Sequence, residues 1–134
     1  MRRIDHHKTG SDLNDHVDVY AMDRPDHEKG RGACHDYAIG HVDLRIMKDV
    51  RLPAFVTTTQ VKFQHGPVKE VGINGASDEA LLGVLIDRLE HFQAGPFACE
   101  ANDVALEHLT GALGALKART NDRIERGVEG KSEA

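Results

Sequence analysis

Residues 63–82, FQHGPVKEVGINGASDEALL, combine several residue types that could hold a small nucleotide. The ring of Phe63 offers a flat face on which a base can stack. The amides of Gln64 and Asn74 can donate and accept hydrogen bonds, and Gly72 and Gly75 let a ligand approach the backbone N–H groups. The stretch therefore predicts half of a nucleotide pocket where a strand passes into a helix. Its spacing also fits a plainer interpretation, in which Phe63 is a core residue and Asn74 belongs only to an Asn-Gly turn.

Arginine side chains could supply phosphate contacts to such a pocket. Arg119 and Arg123 lie four residues apart on one face of a predicted helix, and guanidinium groups match the geometry of phosphate oxygens. Arg88 occurs on the preceding predicted helix, and Arg31 in the glycine-containing loop RPDHEKGRGACHDY. We predict all four as ligand contacts. Acidic neighbours leave open that the helical arginines form a solvated face, and the loop is either a lid or a linker.

No motif for metal or covalent chemistry is found in the chain. Its nine histidines and two cysteines follow no usual zinc spacing. No Gly-x-Ser-x-Gly, P-loop or dinucleotide fingerprint occurs. We therefore predict no catalytic residue, no metal, no cofactor and no enzymatic activity. We expect both cysteines to be reduced thiols, since the two lie far apart in the sequence.

Charge and hydropathy narrow the range of partners. The net charge of −5 disfavours a binder of nucleic acid polymers, which needs a dominant basic surface. No apolar run reaches the roughly 18 residues that span a bilayer, and the N-terminus lacks the apolar segment of a signal peptide. We expect no membrane partner and a cytoplasmic location.

The chain of 134 residues is predicted to hold one domain over 16–134, preceded by a flexible tail over 1–15. Within this domain, 16–75 is β-rich, 76–127 forms a helical hairpin and 128–134 is a second tail. Strands are predicted over 17–23, 33–47 and 54–64, with a short fourth strand over 68–73 after the Gly66-Pro67 turn. The apolar phase slips around Gly40, as a β-bulge requires.

Two predicted helices make up the hairpin. Ser77 can cap the first helix, and Gly95-Pro96 ends it. The second helix begins near Cys99 and ends before Gly127. An unbroken helix of about 27 residues would be roughly 40 Å long, which is longer than a small sheet can cover. We therefore predict an α+β fold, a small antiparallel sheet packed on an antiparallel two-helix hairpin, that assembles into an oligomer.

The sequence of residues 63–130 resembles the Thoeris anti-defence sponge family of phages, whose helical hairpin is related to that of the anti-CBASS cyclic-dinucleotide sponge. The motifs that carry the resemblance are FQ-x-GP-x-KEVG-x-NG at the joint, the FQ-x-GPFAC turn region and RT-x-DR-x-x-RGVEG near the end. A weaker resemblance extends upstream to about residue 17. By motif position, the resemblance implies that the ligand contacts include Phe63, Gln64, Asn74, Arg119 and Arg123.

The resemblance also implies a function without chemistry. Members capture cyclic ADP-ribose isomers, such as glycocyclic ADP-ribose, that bacterial TIR-domain enzymes make, and so keep the signal from its effector in the host cytoplasm. They form hexamers, and some bind cyclic di- or trinucleotides in separate pockets. This chain departs from the family pattern at 100–102 and 111–113, and the first departure could remove a phosphate contact of the cyclic-oligonucleotide pocket. The alternatives are an oligomerisation module built on the hairpin and a cyclic-nucleotide hydrolase.

Overall fold

A computed structural model describes residues 1–25, 32–43 and 54–130. The chain divides into two compact units, Met1–Phe63 and Gln64–Ala134, whereas the sequence pattern places the change from β-rich to helical character after residue 75. The first unit contains an antiparallel sheet and the second contains the long helices. This arrangement confirms the predicted α+β class.

The sheet has four strands, each antiparallel to its neighbour, in the order in which they occur along the chain. Its alternating sequence of apolar and polar residues is typical of strands with one buried face. Among the described residues of this unit, the buried apolar ones are small: Ala21, Cys34 and Ala38. The strands are β1 (Arg2–Ile4), β2 (Asp18–Ala21), β3 (Asp36–Asp43) and β4 (Ala54–Lys62).

The N-terminal segment contains regular structure where the sequence predicts a flexible tail. Strand β1 pairs with β2, and a short helix α1 (Asp12–His16) follows. Lys8 Nζ donates to the backbone oxygens of Asp15 (2.9 Å) and Val17 (3.1 Å). These contacts use backbone groups, which every residue type provides. Hydrophobic periodicity therefore could not reveal them.

The predicted irregularity at Gly40 is confirmed. The register of β3 against β4 shifts between Ile39 and Gly40, and Thr58 is the extra residue on β4. A Cβ at Gly40 would lie 2.1 Å from the backbone oxygen of Val56 and 2.8 Å from the ring of Phe55. The absence of a side chain at Gly40 thus leaves space for the Phe55 ring.

An aspartate fixes the entry into β3. The Asp23 carboxylate accepts hydrogen bonds from the backbone N–H of His35 (2.9 Å) and of Asp36 (3.1 Å). Burial acts to raise the pKa of the Asp23 carboxyl, but these backbone hydrogen bonds outweigh it, so that the pKa is lowered from its usual value. Asp23 therefore stabilises this turn in its ionised form.

The segment predicted as a fourth strand over 68–73 is instead helical at its start. Helix α2 spans Val68–Val71. The N–H groups of Glu70 and Val71 donate to the oxygen of Pro67, and that of Gly72 donates to the oxygen of Val68. Pro67 has φ −68°, which suits the start of a helix. Gly72 ends the helix with φ 76°. A run this short does not distinguish a period of two from a period of 3.6, which is why the prediction of a strand was wrong.

The helical hairpin is confirmed. Helix α3 spans Asp78–Gln93 and helix α4 spans Glu100–Glu125. Ser77 Oγ accepts from the N–H of Ala80 at 3.1 Å, which is the predicted cap. Gly127 follows α4 with φ 72°, as a C-terminal glycine does. No helix among the described residues is both long and apolar enough to cross a bilayer.

Candidate functional site

The loop between β4 and α3 is held together by the side chain of Gln64. Its Nε2 donates to the backbone oxygens of Gly66 (3.1 Å) and Gly72 (2.8 Å). Its Oε1 accepts from the backbone N–H of Asn74 at 2.9 Å, and its own backbone N–H donates to the oxygen of Ala76. Both N–H groups of the amide are therefore engaged within the loop.

Asn74 makes a second set of hydrogen bonds across the same loop. Its Oδ1 accepts from the backbone N–H of His65 at 2.8 Å, and its Nδ2 donates to the oxygen of His65 at 2.7 Å. The side chain amide thus pairs with a backbone peptide much as a neighbouring strand would. One Nδ2 hydrogen and the second lone pair of Oδ1 remain for another partner. We call residues 64–76 with these bonds the clasped loop.

Phe63 belongs to the N-terminal unit and is partly exposed. Its ring meets that of Tyr37 edge to face, with 5.7 Å between the ring centroids. Its backbone N–H donates to the oxygen of His35 at 2.7 Å. The ring is therefore positioned by sheet residues without being fully enclosed, and it keeps surface that another flat group could cover.

The C-terminal end of α4 contains two arginines in different environments. Arg123 Nε donates to Glu129 Oε2 at 3.1 Å, and a terminal nitrogen of the same guanidinium donates to the oxygen of Val128 at 3.0 Å. Arg119 is exposed, and within the described part of the chain its guanidinium has no hydrogen bond or ion pair. Arg119 is thus the arginine whose donors are open to a ligand.

The same end of the hairpin has an open groove of about 360 Å³. It lies where the first turn of α3 meets the last turns of α4. Its lining combines lysine and threonine donors with carboxylate and amide groups, a mixture that suits a ligand with both phosphate and hydroxyl groups. The lining residues are Glu79, Lys117, Thr120, Asn121 and Glu129. The sequence pattern did not single out this groove, because the spacing within each helix does not show which residues of α3, α4 and the following segment meet.

The clasped loop and the C-terminal segment are joined through the backbone. Lys69 N–H donates to the oxygen of Gly130 at 3.1 Å. A Cβ at Gly130 would lie 3.1 Å from Cγ of Lys69, so a side chain there would require the Lys69 side chain to shift. The clasped loop, the start of α3, the end of α4 and residues 127–130 therefore form one end of the hairpin, which we call the joint end.

Arg88 lies elsewhere. It stacks over the ring of Phe92, with 5.7 Å between its Cζ and the ring centroid, near the turn that connects α3 to α4. A rise of about 1.5 Å per residue puts it roughly 15 Å along α3 from Asp78. The structure therefore does not bring Arg88 together with the joint end. Arg31, the remaining predicted contact, lies outside the described residues.

The described residues include no group of three or more histidine, cysteine or acidic side chains placed to hold a metal ion. Cys34 and Cys99 are both free. Cys34 is buried, and its Sγ lies 3.4 Å from the backbone oxygen of Asp23.

The helical half of the chain is similar to known proteins. Residues 58–121 match the family described as the Acb2/Tad1 hairpin domain. The chain is also 47% identical, over 73 residues, to Thoeris anti-defense 1 of Bacillus phage SBSphiJ7. This alignment covers 54% of the chain and 51% of the relative, so the chain spans about half the length of the relative that it matches.

The family match includes the end of β4, the clasped loop, α3 and α4 as far as residue 121, with Arg119 inside it. The two matches confirm the resemblance on which the sequence interpretation relied. Through residues 58–121, the chain is thus similar to proteins with an Acb2/Tad1 hairpin domain, and it shares 47% identity over 73 residues with a Thoeris anti-defence protein.

Proposed function

We propose that this protein is a phage anti-defence protein that binds and sequesters a cyclic ADP-ribose isomer without breaking any bond in it. The identity of 47% to a Thoeris anti-defence protein is the observation that carries the proposal. The ligand, glycocyclic ADP-ribose or a related isomer, is inferred from the resemblance of the joint motifs. The protein would act in the cytoplasm of the bacterial host.

The geometry of the joint end supports binding of a phosphorylated ligand. Arg119 offers an exposed guanidinium with its donors open, and hydrogen bonds to charged groups are about twice as strong as neutral ones. The partly exposed ring of Phe63 offers a surface for a base. We propose two ligand contacts, Phe63 in the first unit and Arg119 in the second unit. Arg123 contributes less, because Glu129 and Val128 already occupy its guanidinium.

Sequestration requires tight binding, since the protein must compete with the effector. A Kd near 1 nM corresponds to about −12 kcal/mol. A loop that is already ordered before binding reduces the entropic cost of association, and the clasped loop has this property. The same sponge would form a homo-oligomer, which we propose to be a hexamer. Binding of cyclic di- or trinucleotides is a further proposal, which the departures at 100–102 weaken.

Two other functions predict different results in one experiment. The protein is incubated with glycocyclic ADP-ribose, freed of unbound ligand and denatured by heat, and the released material is identified by mass spectrometry. A sponge releases the intact isomer. A cyclic-nucleotide hydrolase releases an opened product, and an oligomerisation module releases nothing. Recovery of a product or of no ligand would overturn the proposal.

The variant Arg119→Ala tests the proposed contact. Loss of a charge-assisted hydrogen bond costs about 1.5–3 kcal/mol, so we expect retention of the isomer to weaken at least tenfold with no change in the melting temperature. Arg88→Ala is the matched control, because it removes the same charge from the other end of the hairpin. Equal retention by Arg119→Ala and the parent would contradict the assignment of Arg119.

A further inference from the structure

The amide of Gln64 is fully engaged as a donor within its own loop, and the amide of Asn74 makes two hydrogen bonds to His65 in the same loop. Gln64 uses both of its N–H donors on the oxygens of Gly66 and Gly72. It also accepts the backbone N–H of Asn74. A ligand could receive a hydrogen bond from Gln64 only if one of these bonds were broken. Direct recognition of the ligand by Gln64 would therefore compete with the order of the loop.

We call the side-chain hydrogen bonds of Gln64 and Asn74 within the clasped loop the clasp. These bonds allow only one orientation of each side-chain amide. If the Gln64 amide were flipped, its NH₂ group would face the N–H of Asn74 and its oxygen would face two carbonyl oxygens. A flip of Asn74 would likewise oppose like groups at His65. Such mismatches leave polar groups unsatisfied. The network thus specifies a single conformation of the loop.

The clasp also links the two glycines of the loop that have a positive φ, Gly66 and Gly72. Gly66 and Gly72 have φ of 89° and 76°, in the region that side chains other than glycine rarely adopt. Each glycine gives its backbone oxygen to Gln64 Nε2. Glycine makes the turns possible but also raises the entropy of the free loop. The amide bonds oppose that freedom at the same two residues.

We propose, on the basis of the proposed function, that Gln64 and Asn74 are positioning residues, which hold the 64–76 loop in its binding conformation before the cyclic ADP-ribose isomer arrives. Their contribution to affinity is preorganisation of the joint end. The loop in turn holds the C-terminal segment through Lys69 and Gly130, next to Glu129, which binds Arg123. Loss of the clasp therefore loosens the cationic end of α4 as well.

Hydrogen exchange on the ligand-free protein tests this role. Gln64→Glu and Asn74→Asp keep the shape of each side chain but replace N–H donors with a carboxylate oxygen that repels the carbonyl oxygens nearby. We expect amides within 64–76 to exchange at least tenfold faster in either variant, while amides in the half of α4 nearest the turn, residues 100–112, keep their rates. Asn102→Asp is the matched control, since Asn102 Nδ2 donates to the oxygen of Phe97 at the turn end. Unchanged exchange of the loop in both clasp variants would overturn the proposal.

The same variants separate positioning from contact when calorimetry with glycocyclic ADP-ribose is added. Positioning predicts that affinity falls at least tenfold and that the entropy of binding becomes more unfavourable, because the ligand must now order the loop. Affinity that falls while exchange of the loop is unchanged would identify the two amides as direct contacts and refute positioning. If the parent binds no isomer but the loop still exchanges faster in the variants, the clasp stands as a loop-ordering device and the proposed function fails.

Lowering the pH should partly restore the order of the loop in Gln64→Glu, because protonation gives its carboxyl a hydrogen-bond donor. The protonated carboxyl of Gln64→Glu, with an ordinary pKa of about 4.3, can donate one hydrogen bond to Gly66 or Gly72. The excess exchange of the loop over that of the parent, measured at each pH, should therefore shrink as the pH falls toward about 4. An excess that is independent of pH would contradict the assignment of Gln64 as a donor to these oxygens.

Discussion

The sheet unit and the helical unit are stabilised in different ways. In the sheet unit, Ala21, Cys34 and Ala38 are buried, and Gly40 allows a close backbone approach. In the helical unit, neither α3 nor α4 has a buried residue, and several large apolar side chains remain substantially exposed: Val84 57%, Leu85 47%, Val104 46% and Ile124 58%. The hairpin therefore leaves large apolar side chains exposed in the single chain, and in the proposed oligomer another copy would cover them.

The two ends of the hairpin also differ in the groups that they present. At the turn end, Gln93 Nε2 donates to the oxygen of Cys99 (2.9 Å) and to Asp103 Oδ1 (2.7 Å), and its Oε1 accepts from the N–H of Cys99 (3.0 Å). Cys99 makes no side-chain cap of its own, so Gln93 satisfies the start of α4. A glutamine amide thus closes each end, but only the joint end adds the groove and Arg119.

The largest effect is expected where the apolar surface of the hairpin is made charged. Leu85→Glu changes a side chain that is 47% exposed in the single chain, so the fold of one chain should tolerate it. A carboxylate buried between copies is costly, and we expect the oligomer to dissociate. Light scattering coupled to gel filtration measures the mass. His91→Glu, at a side chain that is 78% exposed, is the control and should leave the mass unchanged. An intact oligomer of Leu85→Glu would argue against this surface.

Gly40→Ala should break the sheet unit while sparing the hairpin. The new methyl group would lie 2.1 Å from the oxygen of Val56, and overpacking of this kind costs about 1–3 kcal/mol. We expect a lower free energy of unfolding in denaturant titrations followed by near-UV signals of the sheet tyrosines. The helical signal of α3 and α4 would change less. A variant as stable as the parent would show that strand β4 can move away freely.

A smaller effect is expected from the ionised form of Asp23. Because its pKa is lowered in the folded chain, the carboxylate stabilises the fold fully above its ordinary value of about 3.9. That stabilisation is lost as the pH falls through the lowered pKa. Asp23→Asn should reduce the loss of stability on acidification, because no proton is taken up at this site. Thermal unfolding of both proteins from pH 6 downward measures the difference, and parallel curves would contradict it.

The smallest effect is expected from Gly114→Ala, which tests whether this position of α4 is free surface or part of an interface between copies. Nothing lies within 4 Å of a Cβ placed at Gly114 in α4, so that Gly114→Ala should stabilise the single chain by about 1 kcal/mol. If another helix packs at this position, the methyl group instead weakens the oligomer. Melting temperature and oligomer mass, measured together, separate the two cases. Gly83→Ala in α3, where a Cβ would also meet nothing within 4 Å, is the matched control.

The structural features that the sequence predicted correctly depend on signals within a few neighbouring residues. The bounds of the hairpin followed from a capping serine, a Gly-Pro pair and a terminal glycine, because each acts within one turn of a helix. The slip at Gly40 was visible as a break in alternation. The strand predicted over 68–73 was wrong because so short a segment has no defined period. Strand β1 was missed because its pairing depends on backbone groups that have no signature in the side chains.

The sequence by itself determined the α+β class and the order of the three longer strands and the two long helices, since these depend on propensity and periodicity. Its side-chain chemistry also singled out the residues that are predicted to meet a nucleotide. Only the tertiary structure decided how those residues are used. It engaged Gln64, Asn74 and Arg123 with the backbone or a carboxylate, left Arg119 open and placed Arg88 at the opposite end of the hairpin. The reason is that a hydrogen-bonding group is available to a ligand only if folding has not already satisfied it. The partners of Gln64, Asn74 and Arg123 lie two to ten residues away, and they come within reach only when the turns between them have folded.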